Sequence, residues 1–299
     1  MSSRSLSVLI LAVAAVLGSA RTSGATSFVE SYIGRNVGCG TPIECPFDGI
    51  LNNRQPSTTT SSLLSINTTL NSPNGTAVTW SAQAQSSYGS LHAAASATFN
   101  IVGAADSRFI LAASTFGEFL TINSPTQNGQ LGTLTLTFDM DGTVSNTGVG
   151  NAFAFVGIQA GTGPDNPESL GESFTPFLST FDGTIVLTVP IVYGQEFFLK
   201  VALGAVAGTA QLCMACPQGI TYGDTTGAGT GSAQFFNTLQ LTGLTPMIGD
   251  SFVSDSQFVS QSGTQYSFNG VVPEPSSLLL FGTGLALVVR QWRRRQLDL

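Results

Sequence analysis

The chain has 299 residues, of which only 9% are charged, and its 10 basic and 17 acidic residues give a formal net charge of −7. Such a surface repels nucleic acid and anionic polymers alike, so nucleic acid is not expected as a partner. The scarcity of Lys and Glu argues against helical domains and favours an extracellular β protein.

The N-terminus has the zones of a secretory signal peptide. Arg4 precedes an apolar run over residues 6–17, and small residues with A-x-A-like spacing follow it. Cleavage after Ala20 or Ala25 fits this spacing, and Ala25 is preferred because it leaves Arg21 outside the mature chain. Residues 1–25 are therefore predicted to be a signal peptide, with the Sec translocase and signal peptidase as partners.

Four cysteines lie in the exported region: Cys39, Cys45, Cys213 and Cys216. In an oxidising compartment an even number of cysteines favours disulfides. Local closure within each pair is the preferred connectivity, and cross-pairing of the first segment with a late strand stays open. A zinc site would need reduced thiols, and a thioredoxin-like couple would need a strand–helix context that is missing.

In the first half of the exported region, residues 26–270, the signals for strands and turns differ in strength from one segment to the next. Residues 26–56 show no clear period, which predicts an irregular opening with one short strand. Asn74-Gly75 is a strong hairpin signal. Beyond it, residues 76–101 predict two strands, and residues 108–122 predict a long strand or a strand pair.

The second half of this region has clearer alternation. Residues 133–138 alternate Thr with Leu or Phe, which predicts a strand with one face in the core and one face exposed to solvent, called the wet face below. Residues 196–203 are interpreted in the same way. Asp141-Gly142 and Asp182-Gly183 predict turns, and residues 223–231 predict a Gly-rich loop. We therefore expect an all-β, antiparallel sandwich of jelly-roll or Greek-key type without an internal helix.

The C-terminal segment, residues 271–299, has three zones in a fixed order. A rigid tetrad, Val272-Pro273-Glu274-Pro275, precedes an uncharged run over residues 276–289. A basic stop-transfer cluster then follows, made of Arg290, Arg293, Arg294 and Arg295. Fourteen helical residues reach about 21 Å, against a hydrocarbon core of about 30 Å, so this short transmembrane helix suits a sorting signal better than a permanent anchor.

This ending resembles the PEP-CTERM sorting domain of exported bacterial proteins. The resemblance implies recognition by an exosortase, a membrane protease and transpeptidase, at the Pro-Glu-Pro tetrad. It also implies a protein that is held transiently at the inner membrane and then reaches the cell surface or the extracellular matrix. The Gln-Leu-Asp-Leu extension after the arginines departs from the family pattern.

Few residues suggest chemistry in the exported domain. His92 is the single histidine, so a Ser-His-Asp triad has one candidate base, and no nucleophile elbow accompanies it. Asp139 and Asp141 do not complete a calcium loop, because Gly142 follows at once, and they are interpreted as turn residues. No catalytic residue is predicted.

One acidic loop is a candidate calcium site. Asp165, Glu168 and Glu172 lie on a long segment where oxygen ligands can converge, and the alternative is an ordinary solvated loop. No other cofactor is predicted.

Two functional hypotheses follow from these observations. The first is a non-enzymatic structural or adhesive protein, associated with exopolysaccharide or biofilm after processing by the exosortase. The alternative is a secreted carbohydrate-binding protein or polysaccharide-active enzyme with the same sorting signal. The absence of a recognisable acid–base pair or nucleophile favours the first.

Overall fold

The computed structural model describes residues 27–37, 48–56, 61, 63–71, 75–102, 108–163, 170–212, 220–222, 226–268 and 270–272. The strands in these ranges are β1 (Phe28–Val37), β2 (Asp48–Pro56), β3 (Leu64–Asn71), β4 (Ala77–Ser87), β5 (Ser90–Ile101), β6 (Arg108–Asn123), β7 (Leu131–Gly148), β8 (Asn151–Gly161), β9 (Gly171–Phe177), β10 (Phe181–Val192), β11 (Glu196–Gly208), β12 (Ala210–Leu212), β13 (Ile220–Tyr222), β14 (Gly227–Ile248), β15 (Ser251–Phe252), β16 (Gln257–Ser260), β17 (Gln265–Ser267) and β18 (Gly270–Val272). Within this part of the chain, no helix is long and apolar enough to cross a membrane. The predicted signal peptide and C-terminal helix lie outside the described residues.

Two seven-stranded antiparallel sheets pack face to face. Sheet A has the strand order β2-β1-β6-β11-β8-β9, and β16 also pairs with β6. Sheet B has the order β10-β7-β14-β5-β4-β3, and β15 also pairs with β14. Two short hairpins, β12–β13 and β17–β18, complete the described structure. The predicted all-β antiparallel sandwich is thereby confirmed.

The core lies between the inner faces of the two sheets. Its largest fully buried side chains include Trp80 of β4, Phe116 of β6, Phe138 of β7 and Phe235 of β14. Leu134 and Leu136 are 0% exposed, while the alternating threonines Thr133, Thr135 and Thr137 are partly exposed. The predicted division of residues 133–138 into a core face and a wet face is therefore confirmed.

The central strands of sheet A are buried on both faces, which corrects the interpretation of residues 196–203. Lys200 and Ala202, expected on a wet face, are only 7% and 3% exposed. Phe28, Phe119 and Phe198 form a separate apolar cluster, and the ring centroids of Phe119 and Phe198 are 5.2 Å apart. Alternation along a strand does not show whether its second face is also covered.

The opening segment contains two strands, so the prediction of an irregular opening with one short strand was wrong. β1 pairs with β6 over ten residues, from Phe28 opposite Gly117 to Val37 opposite Arg108. Val29 and Ile33 are buried on the inner face of β1, and Phe28 and Tyr32 are buried as well. Because apolar residues occupy both faces, the period-two signal disappears.

The two Asp-Gly pairs lie inside strands, so the predicted turns at these positions were also wrong. β7 and β10 run through them, and Asp141 lies directly opposite Asp182. A Cβ atom at Gly142 of β7 would overlap the buried ring of Phe235 on β14, so the close approach of these two strands requires a glycine at this position. By contrast, Gly75 has a positive φ of 88° at the end of the predicted β3–β4 hairpin, which is confirmed.

The predicted Gly-rich loop ends earlier than expected, because β14 begins at Gly227. Gly229 and Gly231 lie within this strand, where the backbone of residues 149–151 comes close to them. Side chains at these positions would meet main-chain atoms, so glycine serves packing here, and the prediction of a loop as far as residue 231 was wrong.

Candidate functional site: an uncharged hydroxyl face and a buried carboxyl

The outer face of sheet B carries three rows of uncharged side chains in register across β3, β4, β5, β14 and β7, and all of them are polar except Ala94. The first row contains Thr69, Thr79, Thr98, Thr230 and Thr147. The second row contains Asn67, Ser81, Ser96, Ser232 and Ser145. The third row contains Ser65, Gln83, Ala94, Gln234 and Thr143. These fifteen residues are called the hydroxyl grid below.

Sheet geometry sets the spacing of the grid. Neighbouring strands are about 4.8 Å apart, and residues two positions apart on a strand are about 6.7 Å apart. Side chains within a row also bond to each other: the Oγ1 atoms of Thr69 and Thr79 are 3.0 Å apart, and those of Thr147 and Thr230 are 2.6 Å apart. Threonine is stiff at χ1, so little entropy is lost when it binds a partner.

The grid follows from alternation in each strand. In β4, for example, Val78, Trp80 and Ala82 are buried in the core, whereas Thr79 is exposed and Ser81 is partly exposed. No member of the grid carries a charge. The grid therefore presents hydroxyl and amide groups, which both donate and accept hydrogen bonds. Its side chains attract neither cations nor anions.

A carboxyl group is fully enclosed at the edge of the core. Glu118 lies on the inner face of β6, between Phe116 and Leu120, and is 0% exposed. Its Oε2 accepts hydrogen bonds from the hydroxyls of Ser260 and Ser262, the latter at 2.7 Å. Its Oε1 is buried and has no hydrogen-bond partner within the described ranges.

The environment of Glu118 favours its neutral form. Burial raises the pKa of Glu118 to about 7, although the hydrogen bonds from Ser260 and Ser262 act in the opposite direction. Burial also raises the pKa of Tyr88, and the negative charge of Glu118 adds to that effect. Since Glu118 is closed to solvent, this carboxyl is suited to fastening the 260–264 segment and not to contact with a substrate.

His92 has a structural role in β5. Its Nδ1 lies 2.7 Å from the carbonyl oxygen of Phe236, and its Nε2 lies 3.2 Å from the hydroxyl of Ser90. A carbonyl only accepts, so Nδ1 carries the proton and Nε2 accepts from Ser90. The contact spans the register shift of β14 between Phe235 and Leu239. This environment agrees with the interpretation of His92 as an ordinary strand residue.

The acidic residues of β7 are not turn residues, which corrects that prediction. Asp139 is exposed on the outer face of sheet B, and its Oδ1 accepts a hydrogen bond of 3.1 Å from Thr184 on β10. Asp141 lies two residues further along the same face. Within the described ranges, no three His, Cys, Asp or Glu residues are grouped so that they could hold a metal ion.

The structure reaches only part of the other predicted sites. Glu172 lies on β9 opposite Gln159, whereas Asp165 and Glu168 lie outside the described residues. The calcium site therefore stays a prediction. All four cysteines lie outside the described residues as well, and so does the basic cluster: Arg290, Arg293, Arg294 and Arg295.

The sorting tetrad begins where the folded domain ends. Val272 is the last residue of β18 and pairs with Gln265 of β17. Pro273, Glu274 and Pro275 lie beyond the described residues. In sequence, the last described strand therefore runs directly into the sorting tetrad.

A β-sandwich that leads directly into such a tail is the architecture of an exported, C-terminally sorted protein. Residues 271–295 match the family model of the PEP-CTERM protein-sorting motif, which marks the chain as an exosortase substrate. The protein is thus exported and sorted to the cell envelope or surface, and the resemblance seen in the sequence is confirmed. No curated protein and no solved structure matches the chain.

Sequence reasoning missed both the hydroxyl grid and the buried Glu118. Thr and Ser alternate with apolar residues in β4 and β7, so each strand signals a polar face. The alignment of the rows depends on pairing between strands as distant as β3 and β14, which local patterns do not encode.

Proposed function

We propose that the exported domain is a non-enzymatic structural or adhesive component of the cell surface or extracellular matrix that binds neutral polysaccharide through the hydroxyl grid. The proposed route uses the Sec translocase and signal peptidase, then holds the chain briefly at the inner membrane by residues 276–289. An exosortase then cuts near the Pro-Glu-Pro tetrad and releases the domain.

The observation that carries this proposal is the uncharged, in-register grid on an acidic protein. Sugar hydroxyls donate and accept hydrogen bonds, as the Thr and Ser hydroxyls of the grid do. Single bonds of this kind are weak, each contributing about 0.5–1.5 kcal/mol, but a long polymer can make many of them together. The net charge of −7 disfavours anionic polymers, which supports a neutral glycan as the partner.

The alternative, an enzyme acting on polysaccharide, has less support. Glycoside hydrolysis uses two carboxyl groups that flank the scissile bond. Glu118 has a pKa suited to acid catalysis, but it is fully buried. The exposed carboxylates Asp139, Asp141 and Asp182 lie on an open sheet face and not in a cleft.

Retention of the exported protein on insoluble polysaccharides would test the proposed role. A panel of neutral and acidic polymers should retain the protein only on neutral members, and no reducing ends should be released. The variant carrying Thr79→Val, Thr98→Val and Thr230→Val keeps the side-chain shape and removes three hydroxyls. We expect its retention to fall by about tenfold or more, given three bonds of roughly 0.5–1.5 kcal/mol each.

The control variant carries Thr135→Val and Thr188→Val. These two threonines form a hydroxyl pair, 3.3 Å apart, on the same sheet face but outside the grid. Its retention should equal that of the unmodified protein. Equal losses in both variants, or retention on no neutral polymer, would refute the proposed binding role. Release of reducing ends would favour the enzymatic alternative.

A further inference from the structure

We propose that one end of the sandwich rests on the periplasmic surface of the inner membrane while the sorting segment is inserted, with three phenylalanines contacting the lipid. These are Phe252, Phe258 and Phe268, called the aromatic patch below. The inference rests on the proposed passage through the inner membrane, and it adds a defined lipid-binding surface on the folded domain.

The aromatic patch is an exposed cluster and not a set of isolated side chains. Phe252 is 47% exposed and Phe268 is 37% exposed. The ring of Phe268 contacts both others, with centroid distances of 5.0 Å to Phe252 and 5.8 Å to Phe258. Phe258 also packs against the core, so the cluster is fixed to the sandwich. Contiguous exposed aromatic surface typically marks an interaction site.

The short chain between this patch and the apolar run indicates a lipid partner. Phe268 lies in the turn of the β17–β18 hairpin, and β18 ends at Val272. The uncharged run of the sorting signal begins at Ser276, only four residues later. At no more than about 3.4 Å per residue, the run starts within roughly 14 Å of Val272 and roughly 27 Å of Phe268. The run therefore enters the membrane within reach of this end of the domain, where the patch lies.

Both ends of the exported domain meet at this end of the sandwich. The hydroxyl of Ser27, the first described residue, donates a hydrogen bond of 3.2 Å to Oε1 of Gln261. Gln261 follows β16 and binds the Phe119 carbonyl oxygen through its main-chain N–H at 3.0 Å. The junction with the signal peptide thus lies near the segment that leads to the sorting signal. Ser27 and the segment that leads to β18 thus lie on one side of the domain.

The charges near the patch define the lipid chemistry. Residues 250–272 contain no Lys or Arg, while Asp250 and Asp255 are exposed. Asp255 accepts hydrogen bonds from Ser124 at 2.8 Å and Thr126 at 2.9 Å, and these bonds lower its pKa, so it stays ionised. Contact therefore depends on apolar insertion of the rings, and anionic headgroups oppose it.

Photo-crosslinking of the full chain tests this orientation. The chain is produced in a host that lacks an exosortase, so that the sorting segment is retained, with p-benzoylphenylalanine at position 252 or 268. The same probe at Leu280, in the apolar run, reports membrane insertion of the tail. At Val102 it serves as the negative control, because Val102 is 46% exposed and follows β5 at the opposite end of sheet B.

We expect lipid adducts at positions 252 and 268 at yields several-fold above that at 102. Replacing neutral lipid with phosphatidylglycerol in reconstituted membranes should leave these yields equal or lower. Adducts at 280 without adducts at 252 and 268, or adducts to protein only, would overturn the inference while leaving the sorting route intact. A rise with anionic lipid would also contradict it. Without lipid adducts at 280, the proposed membrane passage and this inference fail together.

Discussion

At the residue scale, Glu118 makes the stability of the fold depend on pH. Its folded pKa is about 7, above the ordinary value of 4.5, so between these values the folded state binds more protons than the unfolded state. The contribution of Glu118 to the free energy of unfolding is complete below about pH 4.5, and it is lost as the pH rises through about 7. The shift corresponds to roughly 3 kcal/mol, to order of magnitude.

Glu118→Gln should remove this dependence, because the amide stays neutral and its oxygen can accept from Ser260 and Ser262. We expect the melting temperature of the unmodified domain to fall between pH 5 and 8, and that of the variant to exceed it at pH 8 by roughly 6 to 12 °C. Calorimetry across this pH range would measure both. Glu196→Gln, at an exposed carboxylate, is the matched control, and its melting temperature should fall with pH as that of the unmodified domain does. If the melting temperature of Glu118→Gln fell with pH to the same extent, Glu118 would not be the source of the pH dependence.

Gly142 shows that one missing side chain can be required by packing. A methyl group there would overlap the ring of Phe235, which is 0% exposed. Gly142→Ala should therefore lower the free energy of unfolding by about 1–3 kcal/mol, measured by urea denaturation. Gly163→Ala is the control, since a Cβ there meets nothing within 4 Å, and it should change stability by less than about 0.5 kcal/mol. Equal effects at both positions would rule out overlap as the cause.

At the element scale, the structure brings together the strands that bound the cysteine segments. Cys39 and Cys45 lie between β1 and β2, which pair with each other, and Cys213 and Cys216 lie between the paired strands β12 and β13. At one end of sheet A, Val37 is opposite Arg108 and Gly208 is opposite Phe109. The strands leading into the two segments are thus about 10 Å apart across β6, so local closure and cross-pairing both stay open.

The mature protein should contain no free thiol under denaturing conditions, because it has an even number of cysteines and is exported to an oxidising environment. Thiol titration before and after reduction measures this, and peptide mapping of the unreduced protein distinguishes the two connectivities. Two or more reactive thiols, or stoichiometric zinc, would contradict the prediction.

The acidic segment before β9 gives a second prediction at this scale. If Asp165, Glu168 and Glu172 bind calcium, millimolar calcium should raise the melting temperature, since an ion that binds only the native state stabilises it by about 2.7 kcal/mol at 100 times its Kd. Magnesium provides the ion control, and Glu172→Gln should weaken the shift. An unchanged melting curve would identify the segment as an ordinary solvated loop.

The elements also show what the sequence can predict. Hydrophobic alternation predicted the two faces of β7, because one face of this strand is core and the other is solvated. It failed for β1, where apolar residues cover both faces. Local turn chemistry failed at Asp141-Gly142 and Asp182-Gly183, because pairing of β7 with β10 requires extended backbone through both. Tertiary contacts overrode local preference in each case.

At the scale of the whole molecule, the two proposed contact surfaces are separate parts of one rigid sandwich. The hydroxyl grid occupies part of the outer face of sheet B, and the aromatic patch lies where β15, β16 and the β17–β18 hairpin meet. A domain resting on the membrane by its end would keep the grid on a side face. Polysaccharide could then be bound before or after release.

Processing is the prediction that tests the molecule as a unit. β18 ends at Val272, so a cut on the C-terminal side of that residue leaves every described strand intact. The prolines hold the preceding backbone extended, which suits a protease cleft, and the short run with Gly282 and Gly284 makes a poor permanent anchor. In a host with an exosortase, mass spectrometry should find no peptide of the mature protein that spans residues 278–290. In the same host without the exosortase, that peptide should be recovered from the membrane fraction. Its recovery from both hosts would show that the tail is only an anchor, because the arginines would then stop transfer without any later cut.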